Sequence, residues 1–353
     1  MLEDRRPVLD RFPLAHLPTP LEPADRLGRL LDLEAGRLWI KRDDLTGLAT
    51  GGNKSRKLEL LLAAALAEGA DVLVTAGGPQ SNHARTTAAA AARAGLACVL
   101  AFNSDAPPRV EANQILDELF GAERRFLGPM PMEQLNLAVE GVASELRAAG
   151  RKPYVIPIGG SSPLGASAYA RAADEILGQV RDAAGHDDVV VVTACGSGGT
   201  QAGLAARLGH ERVMGVDVGG LADPGAVVGP LTVEVAELVG LPAPNGEPWI
   251  EGGQVGEGYG APTDACLEAL RLTARSEGLL LDPVYSGKAM AGLIAACRGK
   301  GTGAGGASVG GAIVDGARVG AAKLGEARSI VFLASGGVPA LFASRYEAWL
   351  TNG

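Results

Sequence analysis

The chain has 353 residues, of which 47% are apolar, 4% are aromatic and 51 are glycine. This length is sufficient for one large or two medium domains with buried cores. The net charge is -8 and the basic residues form no block, so nucleic acid is not an expected partner. No apolar run has the length of a membrane span and no secretory leader is recognisable. We therefore expect a soluble, cytoplasmic protein without membrane contact.

The cysteines and histidines show no metal-binding pattern. Residues of both types are far apart, and none of their spacings is that of a ligand set. The cysteines lie in apolar or helical contexts, where reduced core thiols are usual. We expect neither a disulfide nor a bound metal. The residues concerned are Cys98, Cys195, Cys266, Cys297, His16, His83, His186 and His210.

Short β-branched runs alternate with helical stretches rich in Ala and Leu along the chain. The runs occupy 71–78, 97–102, 189–200, 212–220 and 329–337, and most of them end in glycine. A repeated order of strand, glycine turn and helix predicts an α/β fold with mostly parallel sheets and helices on both faces. Ligands in such folds bind beyond the carboxyl ends of the strands, where the glycine loops lie.

The same order predicts two three-layer α/β/α domains. We place a smaller domain at 53–165 inside a larger one formed by 1–52 and 166–353, with 151–170 crossing between them. A segment dominated by Gly and Ala, 298–328, breaks the pattern, since its first half can bury little apolar surface. A surface insertion is favoured there over an active-site lid.

The first candidate site is a lysine that follows two glycines. In TGGNKSRKLE (50–59), the glycines allow the backbone to approach a bulky group, and Lys54 stands where a helix begins. A helix N-terminus disfavours a protonated amine, which favours the neutral, nucleophilic form that makes Schiff bases. Arg56 and Lys57 follow within one turn, and any of these cations could instead be a solvated surface residue.

The segment GGPQSNHAR (77–85) places consecutive polar residues at the next strand–helix junction. Side chains and amides at a helix N-terminus suit a carboxylate or a phenolic oxygen. An ordinary N-cap by Ser81 or Asn82 is the alternative, but capping requires one polar residue and not four. His83 could equally be buried in the core or contact the ligand. Gln80 is the fourth polar residue of this segment.

The segment GSGGTQAG (196–203) follows four valines and opens a helix. Exposed backbone N–H groups, the helix start and the hydroxyl of Thr200 favour a phosphate cradle. The alternative interpretation is a tight turn between strand and helix that binds no ligand. The pattern is neither a P-loop nor GxGxxG.

Two of the five tyrosines, Tyr259 and Tyr285, lie beside glycines in GEGYGAPT and LDPVYSGKAM, and Ser335 ends the last clear strand. The tyrosines are candidates for a pocket wall or an acid, or they use their hydroxyls structurally. Jointly, the motifs indicate a ligand with a phosphate group, an aldehyde that reacts with Lys54 and an oxygen that faces Asn82. Pyridoxal 5'-phosphate meets all three demands.

Six of these segments resemble the D-cysteine desulfhydrase/1-aminocyclopropane-1-carboxylate deaminase family, which is part of the tryptophan-synthase-β-like group of fold type II pyridoxal phosphate enzymes. They are GGNKSRKLE, GGPQSNHAR, GSGGTQAGL, EGYGAPT, DPVYSGKAMAGL and SGGVPALFA, in the family's order. The resemblance runs from about residue 10 to the C-terminus, weakens over 103–150 and 221–250, and is absent over 298–322. The resemblance implies fold type II, pyridoxal phosphate as the cofactor, a small amino-acid substrate and a homodimer.

The resemblance also implies residue roles. Lys54 resembles the Schiff-base lysine that moves the Cα proton, Asn82 the partner of the cofactor's phenolic oxygen, and Ser335 the residue facing the pyridine nitrogen. The catalytic set is then Lys54, Ser81, Tyr259 and Tyr285. The phosphate loop matches Gly196, Ser197, Gly198, Gly199 and Thr200. The substrate-binding set is Gln80, Ser81, Asn82, His83, Tyr285 and Ser286.

Two serines distinguish the branches of the family. The deaminase branch is expected to have Glu after the tyrosine of DPVY and Leu before the last GG, where this chain has Ser286 and Ser335. A glutamate near the pyridine nitrogen would keep it protonated and strengthen the electron sink that opening a cyclopropane requires. A serine gives a weaker sink, which suffices when thiolate leaves from Cβ.

The predicted reaction is therefore β-elimination on D-cysteine, giving pyruvate, ammonia and hydrogen sulfide. The alternatives are 1-aminocyclopropane-1-carboxylate deaminase, L-cysteate sulfo-lyase or another lyase for β-substituted amino acids. A relative that binds without turnover is disfavoured because Lys54, Asn82, Thr200 and both tyrosines are intact. A dehydrogenase is disfavoured because no GxGxxG opens a βαβ unit.

Overall fold

The computed structural model describes residues 9–299 and 324–351. Most of the predicted Gly/Ala-rich insertion at 298–328 lies outside the described residues, and its role stays a prediction. The strands, in chain order, are β1 Leu21–Pro23, β2 Leu38–Lys41, β3 Val72–Gly77, β4 Ala97–Phe102, β5 Glu123–Phe126, β6 Pro153–Val155, β7 Val189–Cys195, β8 Val213–Asp217, β9 Trp249–Glu251 and β10 Ser329–Leu333.

The α-helices surround these strands and are numbered in chain order. None of the described helices is both long and apolar enough to cross a membrane. Their bounds are α1 Asp25–Leu30, α2 Lys54–Ala67, α3 Asn82–Ala94, α4 Asn113–Leu119, α5 Met132–Ala148, α6 Pro163–Ala184, α7 Gly199–Leu208, α8 Pro224–Leu238, α9 Asp264–Glu277, α10 Ser286–Cys297 and α11 Ser344–Thr351.

The strands form two sheets. The larger has six strands in the order β1-β2-β10-β7-β8-β9, and the smaller has four in the order β5-β4-β3-β6. Every neighbouring pair is parallel except β1 with β2. The mostly parallel α/β architecture predicted from the sequence is confirmed, and the five β-branched runs contain β3, β4, β7, β8 and β10.

The continuous valine run of β7 is explained by burial on both faces of the larger sheet. Val190 and Val192 pack on the side of α9 and α10, whereas Val189 and Val191 pack on the side of α6 and α7. Both faces of a parallel strand are covered by helices, so alternation with polar residues is not required. Each fully buried valine contributes about 1.5–3 kcal/mol relative to an exposed position.

The smaller sheet is covered in the same manner. In β4, Cys98, Leu100 and Phe102 pack on the side of α2 and α3, whereas Val99 and Ala101 pack on the side of α5. Both α2 and α3 begin with the residues that the sequence singled out. The packing of the smaller sheet therefore sets the positions of Lys54 and Asn82.

A buried ion cluster fixes the start of α2. Arg56 donates from Nη2 to Asp43 Oδ1 at 2.9 Å and to Glu175 Oε1 at 2.8 Å, and Lys41 Nζ also pairs with Glu175. Asp43 lies just after β2 and Glu175 lies on α6, so the cluster joins three elements. Tyr169 of α6 also donates to Asp43 and, at 3.3 Å, to the carbonyl oxygen of Asn53.

The cluster should be a major source of stability. Burial alone would raise the pKa of Glu175, but hydrogen bonds and charges from Arg56 and Lys41 outweigh it and lower that pKa to about 2. Because Glu175→Gln leaves buried cations without their partner, we expect it to lower the free energy of unfolding by about 3 kcal/mol at pH 7. Urea unfolding followed by circular dichroism measures this.

The pH dependence and a control make that test specific. Since the folded-state pKa lies below the usual value of 4.5, the stabilisation is present above that pH and is lost as the pH falls toward 2. Asp187→Asn is the control, because Asp187 and its partner Arg181 are both 61% exposed. We expect a change below about 0.5 kcal/mol there. Equal losses in the two variants would contradict the assignment.

Candidate active site

A cavity of about 760 Å³ lies beyond the carboxyl ends of the parallel strands, where the predicted loops meet. The segments that follow β3, β7, β8 and β10 contribute to its wall, together with the start of α2. The predicted residues among its lining are Lys54, Ser81, Asn82, His83, Gly196, Ser197, Gly198, Thr200, Tyr259, Tyr285 and Ser335.

Lys54 is the first residue of α2 and reaches the cavity. Its Nζ donates to Asn53 Oδ1 at 2.9 Å, and Asn53 Nδ2 donates to Thr200 Oγ1 at 3.1 Å. Burial lowers the pKa of Lys54 to about 8, with Asp282 opposing the change and Arg85 adding to it. A minor fraction of this amine is therefore neutral and nucleophilic at pH 7, and that fraction grows as the pH rises toward 8. The sequence had not singled out Asn53.

Two glycine segments approach each other next to Lys54. A Cβ on Gly336, whose φ is +83°, would lie 2.7 Å from the Cα of Gly52. The carbonyl oxygen of Ser335 accepts a hydrogen bond from Asn53 N at 3.0 Å. The glycines that follow β10 therefore allow Ser335 to lie beside Asn53, the residue before Lys54. A side chain on Gly336 would prevent this close approach of the two backbones.

The glycine loop between β7 and α7 forms a cradle of backbone N–H groups. Gly198 adopts a φ of +77°, and α7 begins at Gly199. The hydroxyl groups of Ser161 and Ser197 are 2.8 Å apart, and Gly199 N donates to Ser161 Oγ at 3.3 Å. Backbone amides and hydroxyl groups at a helix start favour an anion.

Lys57 places a buried amine behind this cradle. Its side chain is buried, and Nζ donates to Gly159 O at 3.1 Å and to Ser161 Oγ at 3.3 Å. Burial, reinforced by the charge of Lys54, holds the pKa of Lys57 well below its usual value. No carboxylate in the described part of the chain lies within ion-pair distance of Lys57, so a phosphate bound at the cradle would raise its pKa and favour the charged amine.

The surface reading of Arg56 and Lys57 is therefore wrong, because both side chains are buried. The sequence had also not singled out Ser161. One local signal existed, since Lys57 lies three residues after Lys54 and thus on a neighbouring face of the same helix. The loop that carries Ser161 is distant in the sequence, and no spacing rule connects it to the glycine loop.

Three of the predicted residues at the start of α3 line the cavity. Ser81 caps the helix by accepting from Ala84 N at 3.1 Å, and both Ser81 and Asn82 line the cavity. His83 also lines it, while its Nε2 pairs with Thr75 Oγ1 at 2.9 Å. Burial and the nearby lysine charges hold the pKa of His83 well below its usual value, so the ring is uncharged.

Gln80 and Ser286 are turned away from the cavity. The Gln80 side chain donates to Glu111 O at 3.2 Å and accepts from Asn113 N at 2.9 Å. Ser286 Oγ donates to Asp282 Oδ1 at 2.6 Å and accepts from Asp282 N. Neither residue is among the cavity lining, so their predicted substrate contacts find no support in this geometry.

Tyr259 and Tyr285 meet at the cavity and their hydroxyl groups form a hydrogen bond. Burial and the neighbouring Tyr259 hold the pKa of Tyr285 well above its usual value, so its hydroxyl stays protonated. Lys54 Nζ lies 5.9 Å from the centre of the Tyr285 ring. An amine and a protonated phenol thus share one wall of the cavity.

Within residues 9–299 and 324–351, no group of three or more His, Cys, Asp or Glu residues could hold a metal ion. The described cysteines are free, and burial raises the pKa of Cys98, Cys195 and Cys266. These thiols have no reactive thiolate character.

Comparison with known proteins agrees with this geometry. A family model described as pyridoxal-phosphate dependent enzyme matches residues 13–310. D-cysteine desulfhydrases of Salmonella typhi and Salmonella newport are each 41% identical over 348 residues, which cover 95% of this chain and 97% of theirs.

Solved structures show the same likeness. An ACC deaminase homologue is 34% identical with a TM-score of 0.80, over 98% of this chain and 96% of that one. The diaminopropionate ammonia lyase of Escherichia coli is 16% identical with a TM-score of 0.63, over 96% of this chain and 87% of its own, and shares the fold.

The role of the glycine loop in phosphate binding can be tested by adding a methyl group at Gly199. A Cβ on Gly199 would lie 2.5 Å from Ser161 Oγ and 2.9 Å from Lys57 Nζ. It would also lie 2.9 Å from Ser161 Cβ, so the Ser161 loop and the end of the Lys57 side chain must move in Gly199→Ala. We expect the Kd for pyridoxal phosphate to rise about tenfold or more. Equilibrium dialysis measures it. Gly178→Ala on α6, with nothing within 4 Å of the added methyl group, is the control. Unchanged affinity in both variants would contradict the cradle.

Proposed function

This chain belongs to the pyridoxal-phosphate-dependent enzyme family, and we propose that it catalyses β-elimination on a small amino acid, with D-cysteine as the substrate. D-cysteine and water would give pyruvate, ammonia and hydrogen sulfide. The observation that carries the proposal is the Lys54 amine, whose pKa is about 8, in one cavity with the glycine loop and Asn82. The family and the cofactor expected from the sequence are confirmed.

The described residues fit pyridoxal phosphate. The glycine loop from Gly196 to Thr200, the start of α7 and the buried Lys57 would hold the phosphate group, and they provide the positive charge that it needs. Asn82 would bind the phenolic oxygen, and Ser335 would face the pyridine nitrogen. A serine hydroxyl can pair with an unprotonated ring nitrogen.

Lys54 is the proposed base. When bound, pyridoxal phosphate supplies an aldehyde carbon for amino groups and a conjugated ring that stabilises negative charge at the substrate Cα. Lys54 Nζ would take the proton from Cα as the Cβ–S bond breaks, and a pKa near the working pH lets it release that proton to solvent before the next turnover.

The tyrosine pair is the proposed acid. Tyr285, kept protonated by burial and joined to Tyr259, would donate a proton toward the departing sulfur. The carboxylate of the substrate would lie at the start of α3, where Ser81 and the first amides of the helix face the cavity. This contact would fix the direction of the Cα–H bond.

The charges around the cavity support a neutral leaving group. Lys54 is the one cationic side chain among the described lining residues, because His83 is uncharged. With Lys54 engaged at Cα, a sulfonate on Cβ would have no other positive partner among the described lining residues, and the bound phosphate would repel it. This supports D-cysteine over L-cysteate.

The carboxylates among the described lining residues support the desulfhydrase branch over the deaminase branch. The one carboxylate among the described lining residues, Asp223, accepts from Ala226 N at 3.0 Å and caps α8. No lining glutamate is therefore present to hold a pyridine nitrogen protonated. The resulting electron sink is adequate for thiolate loss and weak for opening a cyclopropane.

Three further expectations stay predictions. They are the homodimer, the cytoplasmic location, and the division into a domain of 53–165 inserted in one formed by 1–52 and 166–353. The arrangement of strands supports the last of these, since β3 to β6 form the smaller sheet and all other strands form the larger one.

The substrate is tested by supplying four amino acids to the purified, cofactor-loaded protein. D-cysteine, L-cysteine, L-cysteate and 1-aminocyclopropane-1-carboxylate are compared by release of pyruvate and sulfide, or of 2-oxobutyrate for the last. We expect equal amounts of pyruvate and sulfide from D-cysteine. Lys54→Ala should reduce this rate by about 100-fold or more because the base is lost.

Lys152→Ala is the matched control, since Lys152 is an exposed lysine far from the cavity. Its rate should equal that of the unmutated protein. Release of 2-oxobutyrate from the cyclopropane without pyruvate from D-cysteine would overturn the substrate and the electron-sink argument together. Full activity of Lys54→Ala would overturn the assignment of the base.

A further inference from the structure

Arg85 is a buried cation without a carboxylate partner in the described part of the chain. It lies on α3, one turn after Asn82, and only 1% of it is exposed. Burial lowers its pKa to about 10, against the charges of Asp117 and Asp282, so it stays protonated at neutral pH. Burying an unpaired charge is costly, which directs attention to the groups that it binds.

The guanidinium of Arg85 determines how the Asn82 amide is oriented. Arg85 Nη1 donates to Asn82 Oδ1 at 3.1 Å, and Asn113 Nδ2 donates to the same oxygen at 3.0 Å. A guanidinium can only donate, so the atom facing it must be the amide oxygen. Asn82 Nδ2 is thereby directed to the other side, 2.7 Å from the position that a Cβ on Gly337 would occupy.

Asn113 is held in turn by the two residues at its sides. Arg85 Nη1 donates to Asn113 Oδ1 at 2.9 Å, so the Asn113 Nδ2 group faces Asn82. Asn113 Nδ2 also donates to Gln80 O at 2.8 Å. The Gln80 side chain accepts from Asn113 N, which explains why it is turned away from the cavity.

A third contact ties this group to the loop before Lys54. Arg85 Nη2 donates to the carbonyl oxygen of Gly51 at 3.1 Å. One planar side chain thus joins the start of α3, the start of α4 and the segment that leads into α2. A lysine would keep the charge but could not reproduce the fork of donors.

We propose that Arg85, supported by Asn113, is a positioning residue for the cofactor: it fixes the Asn82 amide with its N–H groups toward the phenolic oxygen. The inference rests on the proposed function, because it takes the contact between Asn82 and pyridoxal phosphate from there. Arg85 itself touches neither cofactor nor substrate. Its effect on cofactor affinity is therefore exerted through Asn82.

A double-mutant cycle on cofactor affinity separates this role from general structural support. The Kd for pyridoxal phosphate is measured by equilibrium dialysis for the unmutated protein, Asn82→Ala, Arg85→Lys and the double variant. We expect Arg85→Lys to raise the Kd about tenfold or more in the unmutated background. In the Asn82→Ala background the same change should raise it less than about threefold, since there is no amide left to orient.

Two outcomes would overturn the inference, and they differ in what else they affect. Equal effects of Arg85→Lys in the two backgrounds would show that Arg85 acts independently of Asn82, and the proposed cofactor contact would survive. An unchanged Kd in Asn82→Ala would show that Asn82 does not contact the cofactor. That result would contradict both this part of the proposed function and the inference about Arg85. Sulfide release from D-cysteine reports separately on the reaction.

A control and a second variant complete the design. Arg93→Lys changes an exposed arginine on the same helix and should leave the Kd unchanged. If Arg85→Lys does not fold, Asn113→Ala replaces it in the cycle, because it removes the second donor to Asn82 Oδ1. A rise of about threefold or more that disappears in Asn82→Ala supports the inference, and additive effects overturn it.

Discussion

The ion cluster of Asp43, Arg56 and Glu175 is the constraint on which the position of Lys54 depends. Arg56 follows Lys54 by two residues, and its guanidinium is held by carboxylates from the end of β2 and from α6. The same cluster includes Tyr169, whose hydroxyl reaches the carbonyl oxygen of Asn53. The start of α2, which packs with the smaller sheet, is thereby bound to elements of the larger sheet. A charged cluster sets this register more strictly than apolar contacts would, because each misplaced partner leaves a buried charge unpaired.

The cavity itself has too little negative charge for its cations. Lys54, Lys57 and Arg85 have pKa values lowered by burial, while Asp282, with its pKa raised by burial, is held by the amides at the start of α10. The N-termini of α3 and α7 add partial positive charges at the same edge. Such a site suits an anionic ligand, and the lowered pKa of Lys54, about 8, suits reaction with an aldehyde. Both properties belong to the cofactor of the family, whose phosphate would offset the positive charge and then repel an anionic side chain on the substrate.

Local patterns were sufficient to predict the fold and the cofactor, and insufficient to orient side chains. The valine run before GSGGT predicts β7 and its glycine loop, and the glycines before Lys54 predict a lysine at a helix start, because strand, turn and helix are local. Lys57, Ser161 and Arg85 could not be assigned, since their burial is determined by segments distant in the sequence. Gln80 and Ser286 were expected at the substrate, but Asn113 and Asp282 hold them elsewhere. Hydrogen-bond partners of this kind are decided by tertiary packing.

The most direct test of the account is to identify the lysine that carries the cofactor. The protein loaded with pyridoxal phosphate is reduced with borohydride and digested, and the modified peptide is sequenced by fragment-ion mass spectrometry. The account predicts that the added mass lies on Lys54, which the fragments distinguish from Lys57 through the intervening Ser55 and Arg56. Attachment to Lys57 or to any other lysine would contradict it, because Lys54 would then be neither the attachment point nor the base.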